Sequence, residues 1–218
     1  MTNKCYFSKN NISMKKLFVC LVIFLIPTLN YGFKKLVLPY SIVISKSELI
    51  VEGSISKVLN GRYEFTISQY IKGSSTPKII VKVFEDWICD RRIKSPEVGQ
   101  KLILFLEKKN NAYCIINDST GELFVAEDNC VSTFMEDRFP KAEVLKKGIS
   151  MFLETYTLHG DLNNRFSQNT YFQCNKSIFE IYLMKKDNDF FRFLIDKELE
   201  YYTIKATLIT PLRFQFVN

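Results

Sequence analysis

The 218-residue chain has little of the chemistry that enzymes and metal sites usually need. It contains a single histidine, and it lacks a Gly-x-Ser-x-Gly elbow, a phosphate-binding glycine loop, a dinucleotide fingerprint and a calcium loop. Its cysteines form no Cys-x-x-Cys pair, which structural zinc sites usually show. Because 47% of the residues are hydrophobic and 14% aromatic, the chain is not disordered. These features predict a folded, non-enzymatic module with no cofactor and no metal.

The net charge argues against a nucleic-acid partner. The full chain carries +7, but four of its lysines lie in residues 1–32, which contain no acidic residue. The remainder has 26 basic and 23 acidic residues, or +3, and no dense Lys/Arg cluster. Proteins that bind nucleic acid usually show a strongly basic face, so we expect no nucleic acid among the partners.

Residues 1–32 have the three parts of a secretory signal peptide. Met14 and two lysines precede ten apolar residues, 17–26, and Gly32 follows as a small residue. Ten residues rise about 15 Å as a helix, half of a bilayer's hydrocarbon layer of about 30 Å. We therefore predict export to the periplasm, the cell surface or the medium, with Met14 as an alternative start. An uncleaved N-terminal anchor is the alternative, and only then is a membrane partner expected.

Export determines how the remaining cysteines are interpreted. Removal of residues 1–32 leaves Cys89, Cys114, Cys130 and Cys174, an even number in oxidising surroundings. These four are the candidate disulfide cysteines. Four cysteines allow three connectivities, and the sequence does not choose among them.

Alternating and apolar runs between residues 49 and 116 predict five β-strands. The second run places Tyr63 on the apolar face with Phe65, so Tyr63 is expected in the core. Asn60-Gly61 between the first two runs is a strong hairpin signal. Five strands in a mostly meandering order can close into a small barrel and so remove their edges. The predicted strands are residues 49–59, 62–70, 78–84, 101–107 and 112–116.

The pattern becomes helical after Asp137. Apolar residues from Val144 to Tyr156 form one stripe, which is expected to cover the barrel. Ser177 and Glu180 match a capping box that opens a second helix, and residues 187–189 could cap a third. Residues 201–218 follow no clear period.

The predicted fold class is α+β. A small five-stranded barrel of OB or netrin-like type occupies residues 33–130, after the signal peptide of residues 1–32. A helical C-terminal region, residues 131–218, packs on it.

Several short motifs resemble those of secreted bacterial proteins with a barrel similar to the netrin-like domain of tissue inhibitors of metalloproteinases. The motifs cover about residues 45–125 and are Leu-Ile-Val-Glu-Gly at 49–53, Tyr-Ile-Lys-Gly at 70–73, Trp-x-Cys at 87–89 and Gly-Gln-Lys-Leu-Ile-Leu-Phe-Leu at 99–106. The resemblance implies an exported OB-type barrel. The family's inhibitors clamp the zinc of their target with an N-terminal Cys-x-Cys, which this chain lacks. Metalloproteinase inhibition is therefore a disfavoured alternative.

One residue is a candidate for contact with a partner. Trp87 lies in a charged loop, residues 85–100, where a structural role is less expected than in a strand. We expect an unknown protein or glycan partner outside the cytoplasm. The enzymatic alternative is an exported hydrolase that uses His159 and Asp161 with a Ser or Cys. The simpler interpretation of His159 is a structural residue at the end of a helix.

Overall fold

The computed structural model describes residues 36–110, 112–134, 140–160, 169–200 and 202–206. A short helix, α1 (Tyr40–Lys46), precedes a closed barrel. The barrel strands are β1 (Leu49–Leu59), β2 (Arg62–Lys72), β3 (Lys78–Lys82), β4 (Lys101–Lys109) and β5 (Ala112–Ile115). They pair in the order β1-β2-β3-β5-β4, and β4 pairs back to β1, which closes the barrel. The predicted α+β class with a five-stranded barrel is confirmed.

The connectivity of the barrel differs from the predicted meander. The pairs β1–β2, β2–β3 and β4–β5 are antiparallel neighbours, as expected. However, β3 pairs with β5 in parallel, with Val81 opposite Tyr113, and β4 lies between β5 and β1. The long connection of residues 83–100 lets the chain cross the barrel before β4 begins, and strand patterns alone do not specify such a crossing.

The hairpin between β1 and β2 forms where Asn60-Gly61 predicts it. Leu59 and Arg62 make the last cross-strand pair, and Gly61 has a φ of 66°, which a residue with a side chain rarely adopts. Gly53, in the middle of β1, allows a close approach of β2, because a Cβ atom there would lie 2.1 Å from the carbonyl oxygen of Thr66.

Strand β4 is buried on both of its faces, as its continuous apolar sequence predicts. Leu102, Leu104 and Leu106 belong to the core inside the barrel, which also contains Tyr63 and so confirms its predicted position. Ile103 and Phe105 point the other way and belong to a second core, shared with the helices.

Ten further elements of the described residues extend the barrel edge and form the C-terminal layer. A short 3-10 helix (Asp118–Gly121) leads into β6 (Glu122–Val125) and β7 (Val131–Ser132), which continue the sheet beyond β4. The remaining elements are α2 (Ala142–Thr155), β8 (Tyr156–His159), β9 (Tyr171–Cys174), α3 (Ile178–Asp187), α4 (Asp189–Phe193), a π-helical turn (Leu194–Glu198) and β10 (Thr203–Ala206). Of these, three strands form a separate small sheet in the order β10-β9-β8.

The predicted helix caps are present. The Ser177 hydroxyl accepts a hydrogen bond from the Glu180 backbone N–H at 3.2 Å, and the Glu180 carboxylate accepts one from the Ser177 N–H at 2.8 Å. The Asn188 side chain accepts a hydrogen bond from the Phe191 N–H at 2.8 Å and so starts α4. Helix α2 follows Pro140, while residues 135–139 lie outside the described ranges.

The second core joins α1, α2 and α4 to the outer face of β4. Tyr40 of α1 packs against Phe105 with ring centroids 6.0 Å apart, and Phe152 of α2 packs against Phe172 of β9 at 5.9 Å. Ile149 and Phe152 are fully buried in this core. The helices therefore cover one side of the barrel. None of the helices in the described ranges combines the length and hydrophobicity needed to cross a bilayer.

A polar cluster fastens α2 to the barrel, and we call it the seam anchor. Its centre is Lys146, whose side chain is 7% exposed. The Lys146 ammonium donates to Glu52 of β1, donates to the amide oxygen of Gln69 of β2 at 2.7 Å, and pairs with Glu143 at 2.6 Å. Burial lowers the pKa of Lys146, but its carboxylate partners outweigh burial and the pKa is raised.

Candidate functional site

A long connection between β3 and β4 carries exposed apolar side chains. We call residues 83–100 the Trp87 loop. Trp87 is 36% exposed, Ile88 78% and Val98 69%. Exposed apolar residues concentrated in one loop are typical of an interaction site.

The tip of the Trp87 loop is a tight, hydrogen-bonded turn. The Trp87 N–H donates to the carbonyl of Asp90 at 3.0 Å, and the Asp90 N–H donates to the carbonyl of Trp87 at 2.9 Å. Ile88 and Cys89 lie between them, so the turn fixes the backbone that presents the exposed Ile88 side chain. Asp90 itself is fully buried.

A buried ion pair holds the loop to the barrel just after this turn. The Arg92 Nε donates to Glu122 Oε2 at 2.5 Å, and Arg92 Nη2 donates to Glu122 Oε1 at 2.7 Å. The two side chains are 3% and 1% exposed. The Tyr63 hydroxyl also donates to Glu122 Oε1, at 3.1 Å. We call Tyr63, Arg92 and Glu122 the inner anchor.

Aromatic rings and a second carboxylate complete this attachment. The Arg92 guanidinium carbon lies 5.7 Å from the centre of the Tyr63 ring and 5.8 Å from that of Phe124, which are cation–π distances. The Arg92 backbone N–H donates to the Asp86 carboxylate at 3.0 Å. Because Asp86 precedes the turn and Arg92 follows it, both sides of the tip are held.

The electrostatics of the inner anchor reflect its burial. Burial raises the pKa of Glu122, Arg92 opposes this, and the net direction is upward. Burial, reinforced by the charge of Glu122, raises the pKa of Tyr63 well above its usual value, so this hydroxyl is a hydrogen-bond donor at neutral pH. Arg92 binds both oxygens of the Glu122 carboxylate. The inner anchor therefore serves to position the loop.

A cleft of about 300 Å³ lies at the beginning of the Trp87 loop. Its lining includes two lysines, Lys82 and Lys109, and two acidic residues, Glu85 and Asp118. Lys109 is also paired with the Glu107 carboxylate at 2.6 Å. The cleft therefore presents both signs of charge and does not select an anion or a cation. Its lining is Lys82, Val83, Phe84, Glu85, Lys109, Cys114, Ile115 and Asp118.

The four candidate disulfide cysteines are free thiols in the structure. Cys89 lies in the turn of the Trp87 loop, Cys114 on β5, Cys130 just before β7, and Cys174 on β9 in the other sheet. No disulfide joins these four cysteines in the structure, and which of them would pair stays a prediction. An even cysteine count indicates what could pair, but a disulfide also needs Cβ atoms about 3.5–4.5 Å apart, and chain spacing does not report that distance.

His159 occupies a different position from the one its sequence indicates. Helix α2 ends at Thr155 and the chain continues directly into β8, so His159 is the last residue of a strand and not a helix end. It pairs with Tyr171 of β9, and the two rings stack with centroids 5.1 Å apart. Asp161, its predicted partner in a hydrolase, lies outside the described residues. Cross-strand pairing with β9, which the sequence pattern did not show, explains the difference.

No cluster of three His, Cys, Asp or Glu side chains suited to a metal occurs in the part of the chain that the structure describes. No protein-family model matches the chain, and no curated protein matches it.

Sequence reasoning singles out Trp87 as a candidate contact residue, which stays a prediction, and it misses what holds the loop. Arg92 is one of several charged residues in the loop and has no distinguishing neighbour in the sequence. A usable signal in the sequence is that Glu122 directly precedes the apolar residues Leu123 to Val125. All four residues are buried in β6, and a buried carboxylate requires a partner.

Proposed function

We propose that this chain is an exported, non-enzymatic binding module that contacts a protein partner through the Trp87 loop. The observation that carries the proposal is an exposed apolar turn mounted on a fully buried, bidentate ion pair.

The inner anchor reduces the cost of binding. A loop that is already held in one conformation loses less entropy when a partner binds, so more of the contact energy appears as affinity. Arg92 and Asp86 hold the two sides of the turn while Ile88 at its tip stays 78% exposed. The tip is therefore a preorganised contact surface.

The composition of the tip favours a protein over a glycan. Tryptophan is enriched at the hot spots of protein interfaces, and Trp87 is 36% exposed. Ile88 and Val98 add aliphatic surface. Aliphatic side chains offer nothing to the hydroxyl groups of a sugar, whereas they pack well into an apolar protein pocket.

The proposal places the module outside the cytoplasm. Its support is the signal-like composition of residues 1–32 and the resemblance of residues 45–125 to exported netrin-like barrels. Intact-mass measurement of the chain purified from its host tests this directly. Loss of about residues 1–32 is expected, and a full-length chain in the cytosol would overturn it. Thiol labelling before reduction distinguishes four free cysteines, as in the structure, from crosslinked pairs.

The binding surface is tested by capturing partners from the extracytoplasmic fraction of the host on the immobilised chain. Ile88→Ser should lose the captured protein, while Val58→Ser, at an exposed valine on the β1–β2 hairpin, should retain it. The lone tryptophan is an independent reporter, because its fluorescence should shift when the purified partner covers Trp87. Equal capture by both variants, or capture of nothing by the wild type, contradicts the proposal.

A further inference from the structure

Helix α3 exposes a row of large apolar side chains. Ile178 is 88% exposed, Phe179 68%, Tyr182 52% and Leu183 48%. Their spacing of one, four and five residues places them on one side of the helix. We call these four residues the α3 face. None of the ten residues of α3 is buried, although the helix is mostly apolar up to Met184.

The α3 face is held in a fixed position by the rest of the helix. On the opposite side, Ile181 and Met184 pack against the second core. The capping box of Ser177 and Glu180 fixes the first turn, and an ion pair between Lys185 and Asp196 fixes the last. The exposed row is thus part of an ordered surface.

The two ends of α3 carry opposite charges, and the ammonium of Lys186 lies over the Tyr182 ring of the α3 face, 4.5 Å from its centre. Glu180 lies in the first turn, and Lys185 and Lys186 lie in the last turn. A second α3 packed in the reverse direction would place its basic end beside the acidic end of the first. The helix dipoles would also be antiparallel, which is the favourable arrangement. From this we infer that the α3 face binds a second copy of this chain, as a symmetric dimer of antiparallel α3 helices.

A membrane surface fits the same face less well. Helices that lie on anionic membranes carry an excess of lysine and arginine beside their apolar side. The charges of α3 itself balance, because Glu180 and Asp187 offset Lys185 and Lys186. Beside the helix, Lys147 pairs with Asp187 at 2.8 Å and Arg192 pairs with Asp189 at 2.9 Å. The surroundings therefore provide no excess of positive charge.

The size of the face indicates a weak dimer. Four large side chains that are about half to nine-tenths exposed can bury on the order of 500 Å² per copy. Two copies then bury about 1,000 Å², the lower limit for a specific interface, so a dissociation constant in the micromolar range is expected.

The test is sedimentation of the chain, as recovered from an exporting host, over a concentration series from 1 to roughly 500 µM, which brackets that expected range. The wild type should shift from monomer to dimer. The double variant Phe179→Glu/Leu183→Glu should weaken the dimer at least tenfold, because it buries like charges across the symmetry axis. The matched control Val58→Glu places a charge at an exposed valine elsewhere and should leave the dimer unchanged.

A crosslinking experiment tests the direction of the two helices. Tyr182, in the middle of α3, would lie close to its own copy, whereas Ile178, at the beginning, would lie far from its copy. Under mild oxidation Tyr182→Cys should give a covalent dimer above the background of the parent chain, and Ile178→Cys should not. The reverse result would overturn the antiparallel arrangement.

Three other outcomes would overturn the dimer itself. A wild type that stays monomeric throughout the series excludes it. A dimer that survives Phe179→Glu/Leu183→Glu uses another surface. Binding of the monomer to vesicles of anionic phospholipid, lost in the double variant, would assign the α3 face to a membrane instead.

Discussion

The inner anchor and the seam anchor both attach a segment to the barrel, but their carboxylates are buried to different extents. Each joins a segment to the barrel through a cation that is almost completely buried, Arg92 in one and Lys146 in the other. They differ in their carboxylate partners. Glu122 is 1% exposed, whereas the partners of Lys146, Glu52 and Glu143, are 19% and 79% exposed.

This difference determines what is left behind when a cation is removed. At the seam anchor, the released carboxylates can turn to water at small cost. At the inner anchor, Glu122 would remain ionised in a place that water does not reach, or would have to take up a proton. The depth of the partner, more than the number of hydrogen bonds, should therefore set the contribution of each anchor to stability.

Replacement of Arg92 should have the largest effect. Arg92→Met should lower the free energy of unfolding by about 3–5 kcal/mol, because it leaves the Glu122 carboxylate buried and unpaired. Chemical denaturation measures this directly. The double variant Arg92→Met/Glu122→Met is the matched control and should recover most of the loss. If the single and double variants are equally unstable, packing and not charge governs the site.

Replacement of Lys146 should cost less. Lys146→Met should lower the free energy of unfolding by about 1–3 kcal/mol, since its partners regain solvent while α2 loses its two contacts to the barrel, at Glu52 and Gln69. The same denaturation experiment applies. A loss equal to that of Arg92→Met would contradict the proposed dependence on depth.

A single acceptor of the seam anchor should matter still less. Gln69 is an exposed residue that accepts one hydrogen bond from Lys146, at 2.7 Å. Gln69→Ala should lower the free energy of unfolding by about 0.5–1.5 kcal/mol. Thermal unfolding, compared with Arg62→Ala at an exposed position at the start of the same strand, measures it. A larger loss than for Lys146→Met would mean that Gln69 supports β2 in another way.

The smallest expected effect is on the pH dependence of stability, compared between the wild type and Glu122→Gln. The pKa of Glu122 is higher in the folded chain than its ordinary value of 4.5, so the folded state keeps this proton to a higher pH than the unfolded state. Stability from this group is therefore present at low pH and falls as the pH rises through that window. Glu122→Gln should lack this fall in unfolding measurements from pH 4 to about 7. Parallel profiles for the wild type and Glu122→Gln would show that the pKa is not raised.

Local structure was largely accessible from the sequence, whereas pairings were not. The Asn60-Gly61 turn and the Ser177–Glu180 capping box each depend on a few adjacent residues, and both form as predicted. The parallel pairing of β3 and β5 depends on where a long connection leads, and no local pattern encodes that. The predicted strand ends differ by only a few residues, as at β3, which ends at Lys82.

The candidate site was accessible only in part. Trp87 is a candidate because an aromatic residue in a charged loop is unusual, and its contact role stays a prediction. The inner anchor requires Arg92 and Glu122 to meet across 30 residues, and neither position shows a period or motif that signals a partner. The β8–β9 pairing that places His159 escaped for the same reason, because each of these strands has only four residues.

The parallel neighbours β3 and β5 also constrain when the chain can fold. The barrel closes only when Leu49 of β1 pairs with Leu106 of β4 and Val81 of β3 pairs with Tyr113 of β5. A polypeptide that is delivered from its N-terminus therefore holds an open, three-stranded ribbon until more than half of its length has emerged. Such late closure favours slow folding, and it leaves the outer edges of β1 and β3 unpaired while the rest of the chain is made.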